Sequence, residues 1–90
     1  MYEVTNNKTK QRYELEIDGH VAASYYKLAD GVVTFVHTEV PTELAGKGVG
    51  SKLAAGALDL ARADGLKVIA QCPFVKAFLD KHPDYCDLRK

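Results

Sequence analysis

Ninety residues, nearly half of them apolar and about a quarter charged, suit a single globular domain spanning 1–90 and leave no room for two. The 12 basic and 12 acidic side chains cancel, which gives no electrostatic argument for nucleic acid or an anionic membrane as a partner and leaves only a local basic patch open. No apolar run approaches the roughly 18 residues of a membrane span, and Met1-Tyr2-Glu3-Val4 lacks the basic-then-apolar opening of a signal peptide, so a cytoplasmic location is expected.

Residues 2–6 are read as a short edge strand or a frayed end. Arg12 to Ile17 alternates, with Tyr13, Leu15 and Ile17 on one side and Arg12, Glu14 and Glu16 on the other, the pattern of a half-buried strand. Asp18-Gly19 marks a tight hairpin turn, since Gly tolerates positive φ. His20 to Leu28 forms a second strand, and Asp30-Gly31 a second hairpin. Gly31 to Val40 is a third strand, built on the β-branched and aromatic run Val32-Val33-Thr34-Phe35-Val36. Pro41 ends it.

The period then changes. Val49, Leu53, Ala57 and Leu60 share a helical stripe flanked by Ala54, Leu58 and Ala61, which predicts a helix from about Gly48 to Ala63 with Asp64-Gly65 as its stop. Gly56, inside that helix, costs roughly 1 kcal/mol relative to Ala and is tolerable where the helix packs closely. Leu66 to Gln71 is a short buried strand. Pro73 opens a second, shorter helix through about Lys81, with Phe74 and Phe78 facing inward, and Pro83 stops it. The tail from Asp84 either packs back as a last strand or trails. The fold class is therefore α+β: an antiparallel meander, a β-α-β crossover and a short C-terminal helix.

Cys72 and Cys86, without a secretion signal, are expected as reduced thiols. Cys72, His82 and Cys86 lack the Cys-x-x-Cys pair of a zinc site, and no metal is expected.

The chemistry concentrates at Gly46-Lys47-Gly48-Val49-Gly50, between a strand and a helix. Its glycines let backbone pass close to a ligand, and the helix start supplies unpaired N–H groups and the positive end of a dipole. That is an anion site suited to phosphate, with Lys47 adding a charge. Two nucleotide fingerprints fail. The triphosphate loop needs Gly-Lys-Ser/Thr, whereas Gly50 is followed by Ser51-Lys52. The dinucleotide pattern G-x-G-x-x-G fails because its last position falls on Ser51 or Leu53.

Ala45 to Leu53 resembles the pyrophosphate-binding motif of GNAT acetyltransferases, Arg/Gln-x-x-Gly-x-Gly/Ala, with Gly48 and Gly50 at its last two defined positions and Ala45 where Arg or Gln is usual. A small GNAT-like subfamily of about this chain's length is similar over nearly the whole sequence. It shows, in order, a His-Thr-Glu-Val-Pro segment (His37 to Pro41), the glycine turn, a Cys-Pro segment (Cys72-Pro73-Phe74-Val75) and His-Pro-x-Tyr (His82 to Tyr85). The resemblance implies a trimmed acetyltransferase that keeps the cofactor-binding core. It implies acetyl-CoA as cofactor, with an amine, free or on a protein, as acceptor. It also implies that Thr38, Glu39 and Val40 meet the acetyl and pantetheine through backbone, while Ala45, Gly46, Lys47, Gly48, Val49, Gly50 and Ser51 meet the pyrophosphate, with Cys72 and Pro73 beside it.

Phe35, His37 and Glu39 are read on one face of their strand, Val36, Thr38 and Val40 on the other. Glu39, if partly buried, and His37 are candidate bases for the amine. Cys72, at a helix start, is a candidate acid or nucleophile, or a packing residue. Tyr85 is a weaker proton donor. A non-catalytic module binding CoA or acyl-CoA, and an interaction domain using the fold without cofactor, are the alternatives. A monomer and a weak homodimer are equally open.

Overall fold

Two Asp-Gly pairs set the register of the sheet. Asp18 (φ 52) and Gly19 (φ 78), then Asp30 (φ 53) and Gly31 (φ 74), are left-handed in succession, the geometry that matches a two-residue turn to the twist of its strands. The structure, a computed structural model, describes residues 3–90. Its strands are β1 (Thr5–Asn7), β2 (Arg12–Ile17), β3 (His20–Ala29), β4 (Val32–Glu39) and β5 (Lys67–Ala70). They lie in sequence order in one sheet, antiparallel from β1 to β4, with β5 parallel to β4. The meander and crossover read from the sequence are present. The edge strand read over 2–6 is Thr5–Asn7, and the part of that reading on Tyr2 lies outside the described residues.

Helix α1 (Val49–Ala63) carries the crossover and covers one face of the sheet. Val49, Leu53, Ala54, Ala57, Leu58 and Ala61 are buried against Tyr13, Leu15, Ala22, Tyr26, Val33, Phe35 and Val68, which form the facing layer of the core. The small residues of α1 permit close approach. A Cβ at Gly56 would lie 2.3 Å from Val4 Cγ2, so the missing side chain is the space that the chain entering β1 occupies.

Helix α2 (Pro73–Lys81) buries Val75, Phe78 and Leu79. This corrects the inward placement of Phe74. An i, i+3, i+4 stripe centred on Val75 turns Phe74 aside, and its ring, 42% exposed, lies across the start of α1. The tail is neither a strand nor loose. Pro83–Leu88 forms a 3-10 helix that buries Tyr85 and Leu88, and then Arg89 makes one parallel bridge to Val68, capping the free edge of β5.

Candidate functional site

The site is organised by an irregularity in β4. Tyr25 pairs with His37 but Tyr26 pairs with Phe35, so Val36 is an extra residue, a β-bulge. One inserted residue reverses the alternation beyond it. Phe35 is fully buried beneath α1, yet His37 and Glu39 stand on the opposite, outer face, and Thr38 takes over the inner face. The shared face read for Phe35, His37 and Glu39 is thereby overturned. The β4–β5 ladder also stops at this point. Its last pair is Phe35 with Ala70, and the Phe35 carbonyl accepts from both Gln71 N–H and Cys72 N–H at 2.9 Å as the chain turns into α2. Beyond Phe35 the two strands diverge, and among the described residues the end of β4 has no strand partner on that edge.

The glycine turn lies beside this opening. A short 3-10 turn, Thr42–Leu44, buries Leu44 and anchors the segment. Gly48 then caps α1 in the left-handed conformation (φ 70), where a side chain is disfavoured whatever the space. Backbone bonding resumes at Lys52, whose N–H donates to the Gly48 carbonyl at 3.1 Å. The segment from Gly46 to Ser51 leads into the first turn of a 15-residue helix, whose opening N–H groups have no acceptor within the helix and lie at the positive end of its dipole. A cleft of about 300 Å³ runs over them, bounded by Val40, Leu44, Ser51 and Phe74. Gly50 serves packing here. A Cβ on it would lie 2.6 Å from Phe74 Cζ, so this glycine is where α2 approaches α1.

On the outer face a second cleft, about 280 Å³, is floored by Val21 and Ala23 and walled by Arg12, Tyr25, Glu39, Val40 and Pro41. Arg12 is held by Glu14 and by Tyr25 Oη at 2.9 Å, and the Tyr25 ring stacks on His37 with centroids 6.0 Å apart. The hydrogen bonds from Glu14 and Tyr25 push Arg12 further up, away from any titration in the working range. His37 Nε2 lies 3.9 Å from Glu39 Oε1, and both side chains are about 60% exposed. The partial burial read for Glu39 is thus absent, because the bulge turns it to the uncovered side of the sheet. Val40 lines both clefts, so the two meet at the end of β4.

Cys72 is 3% exposed, at the N-cap of α2, and neither it nor the exposed Cys86 is disulfide-bonded. Its Sγ lies 3.3 Å from Thr38 Oγ1, which lies 3.1 Å from Ser24 Oγ. Ser24 was not singled out from the sequence. It sits among Ala and Tyr in β3, and only its register opposite Thr38 connects it to the site. Tyr85, by contrast, is removed from the site. Its hydroxyl donates to Asp59 at 2.9 Å near the far end of α1, and burial together with that carboxylate pushes it up to about 12. Among the described residues no helix is long and apolar enough to cross a membrane.

An α+β domain whose crossover helix starts at a glycine turn, beside a strand that splays after a bulge, has the architecture of the GNAT acetyltransferase fold. The sequence matches the GCN5-related N-acetyl-transferase family over residues 12–88, and the chain belongs to that family. Its structure is similar to the solution structure of a GCN5-like protein from Staphylococcus aureus, with a TM-score of 0.73 and 32% identity over 98% of this chain and 87% of that one. It is 24% identical to Protein NATD1 of Gallus gallus over 84 residues, covering 90% of this chain and 76% of that protein. The Mus musculus NATD1 is 24% identical over 83 residues.

Proposed function

We propose that this domain binds acetyl-CoA with its pyrophosphate on the glycine turn and transfers the acetyl group to an amine that enters from the outer face of the sheet. The supporting observation is the junction at Val40. A cleft over the glycine turn and a cleft carrying a carboxylate meet at one residue, at the end of β4.

The residues present fit the ligand. The N–H groups from Gly46 to Ser51 and the α1 dipole suit a diphosphate, and Lys47 adds positive charge. Ala45 supplies no side-chain donor, so the backbone carries the contact. When bound, acetyl-CoA supplies a thioester as acyl donor. The unpartnered edge of β4 from Thr38 to Val40 aligns the acyl arm by backbone contacts. His37 and Glu39 stand where the amine arrives and take up the proton released as nitrogen attacks the carbonyl carbon. As the carbon–sulfur bond breaks, the departing thiolate takes a proton. The Cys72 thiol, 3.3 Å from Thr38 Oγ1 on the splayed edge, is the group assigned to give one.

The exposure of His37 and Glu39 favours a second reading, a module that binds CoA or acyl-CoA without turnover. A thiol-release assay over a panel of amines and peptides separates them. Release above background with any acceptor supports transfer, and none with every acceptor leaves the binding module.

A further inference from the structure

We propose that the groove leading from the glycine turn along α2 receives the 3′-phosphate of coenzyme A, with Lys81 and His82 as its partners and the Phe74 ring against the adenine. This placement depends on the pyrophosphate lying on the glycine turn. It gives the domain a choice of acyl carrier: one bearing the 3′-phosphate, in preference to a pantetheine carrier that lacks it.

Two clefts are continuous at this point. Ser51 and Phe74 line both the cleft over the glycine turn and a smaller one, about 100 Å³, that ends at Lys81 and His82. Phe74, Ala77, Phe78 and Lys81 fall at i, i+3, i+4 and i+7, a single stripe of α2. Side chains on a helix lean toward its N-terminus, so the Lys81 stem runs back over Ala77 toward Phe74. The small side chain of Ala77 leaves that path open. Phe74 and Lys81 are about 10 Å apart along the helix. The ribose of coenzyme A, phosphorylated at both 5′ and 3′, bridges that gap together with the lysine stem.

The groups present suit a phosphate. Among the described residues no carboxylate lines either cleft. Asp80, beside Lys81 in sequence, is engaged by Arg89 at 2.9 Å. Lys81 and His82 are both exposed, so their polar atoms are open to a ligand. The His82 imidazole stacks on Phe78, centroids 4.0 Å apart, which fixes the ring and leaves its nitrogens at the edge, where an N–H can donate. Phe74 is placed to stack. A Cβ on Gly50 would lie 2.6 Å from Phe74 Cζ and 3.2 and 3.3 Å from its two Cε atoms, so the ring meets α1 by its tip. Its faces are left for a base, which accounts for a large aromatic side chain left exposed on this helix.

Calorimetric titration of coenzyme A and of dephospho-coenzyme A, which differ only in the 3′-phosphate, tests the site. Coenzyme A should bind about tenfold tighter, the contribution of one charge-assisted hydrogen bond. Lys81→Gln should bring the two affinities within about twofold by weakening coenzyme A alone. Lys76→Gln, on the same helix and outside the groove, should leave the tenfold ratio intact, which separates a local contact from net charge. Phe74→Leu should weaken both carriers alike, since the adenine is common to them. Equal affinities in the parent domain, a ratio retained in Lys81→Gln, or a ratio lost equally in Lys76→Gln would overturn the phosphate contact. Unchanged affinities in Phe74→Leu would overturn the adenine contact. Amide shifts at Gly46 to Ser51 distinguish the two levels of failure. Binding of both carriers there with equal affinity removes this site alone, whereas no binding and no shifts remove the pyrophosphate cradle with it.

Discussion

Thr38 Oγ1 stands 3.3 Å from Cys72 Sγ, joining the end of β4 to the start of α2 by a side-chain contact where the backbone ladder has already ended. Ser24, behind Thr38, extends the contact into β3. Thr38→Val keeps the shape and removes the hydroxyl. It leaves the buried Ser24 without that partner, so a loss of about 1–3 kcal/mol in urea unfolding is expected. Adding Ser24→Ala should recover part of it, since removing both partners costs less than stranding one.

Cys72→Ala is expected to lower turnover with little change in acetyl-CoA affinity, because the thiol faces the splayed edge of β4 rather than the glycine cradle. Turnover assays alongside calorimetry separate the two effects. A loss of affinity with turnover of the bound complex unchanged would make Cys72 a packing residue.

The glycines of the turn should respond differently to substitution. Gly48→Ala meets open space but must hold a left-handed backbone, at a cost of roughly 1–2 kcal/mol, and should weaken acetyl-CoA by disturbing the cradle. Gly48→Glu should abolish binding through bulk and negative charge. Gly50→Ala meets the Phe74 ring and should displace it. The matching readout is a shift of Phe74 resonances in the free protein.

Gly56→Ala should destabilise the domain despite improving helix propensity by about 1 kcal/mol. The added Cβ would lie 2.3 Å from Val4 Cγ2 and 2.5 Å from Val4 Cβ, and overpacking of this kind costs roughly 1–3 kcal/mol. Val4→Gly in the Gly56→Ala background should recover stability. Thermal unfolding of the four variants in the cycle is the check.

Alkali should unfold the protein through two tyrosines. Tyr13 and Tyr85 are each pushed up to about 12, mainly by burial. A folded-state value raised above the unfolded one, about 10, means the folded state holds its proton longer. The resulting stability is complete below about pH 10 and is lost as pH rises through about 12, roughly 2–3 kcal/mol for each tyrosine. Urea unfolding at about pH 8 and about pH 11 should show the decline, and Tyr85→Phe should reduce it.

Local chemistry explains which parts of this structure the sequence discloses. The hairpins follow from Asp-Gly pairs that adopt left-handed turns, and α1 from its apolar period after a glycine cap. Pro73 and Pro83 bound α2 because each acts on the backbone within its own turn. The bulge at Val36 has no such signature. No Gly or Pro marks it, and the alternation of Phe35, His37 and Glu39 reads as an unbroken strand. The inserted residue is visible only in the pairing with β3, and it decides which side chains face the cleft. Ser24 and the outward turn of Phe74 were hidden for the same reason, since each depends on a neighbour distant in sequence. The glycine turn was legible as the start of α1, because a left-handed cap and the amide groups that follow it are local properties. That Gly50 is required by Phe74 was not.

Calorimetric titration of acetyl-CoA into the domain, in parallel with Gly48→Glu, tests the central proposal most directly. Saturable binding to the parent domain, lost in a folded Gly48→Glu, is expected. No binding at millimolar acetyl-CoA, or undiminished binding by the variant, would contradict the assignment of the glycine turn as the pyrophosphate cradle.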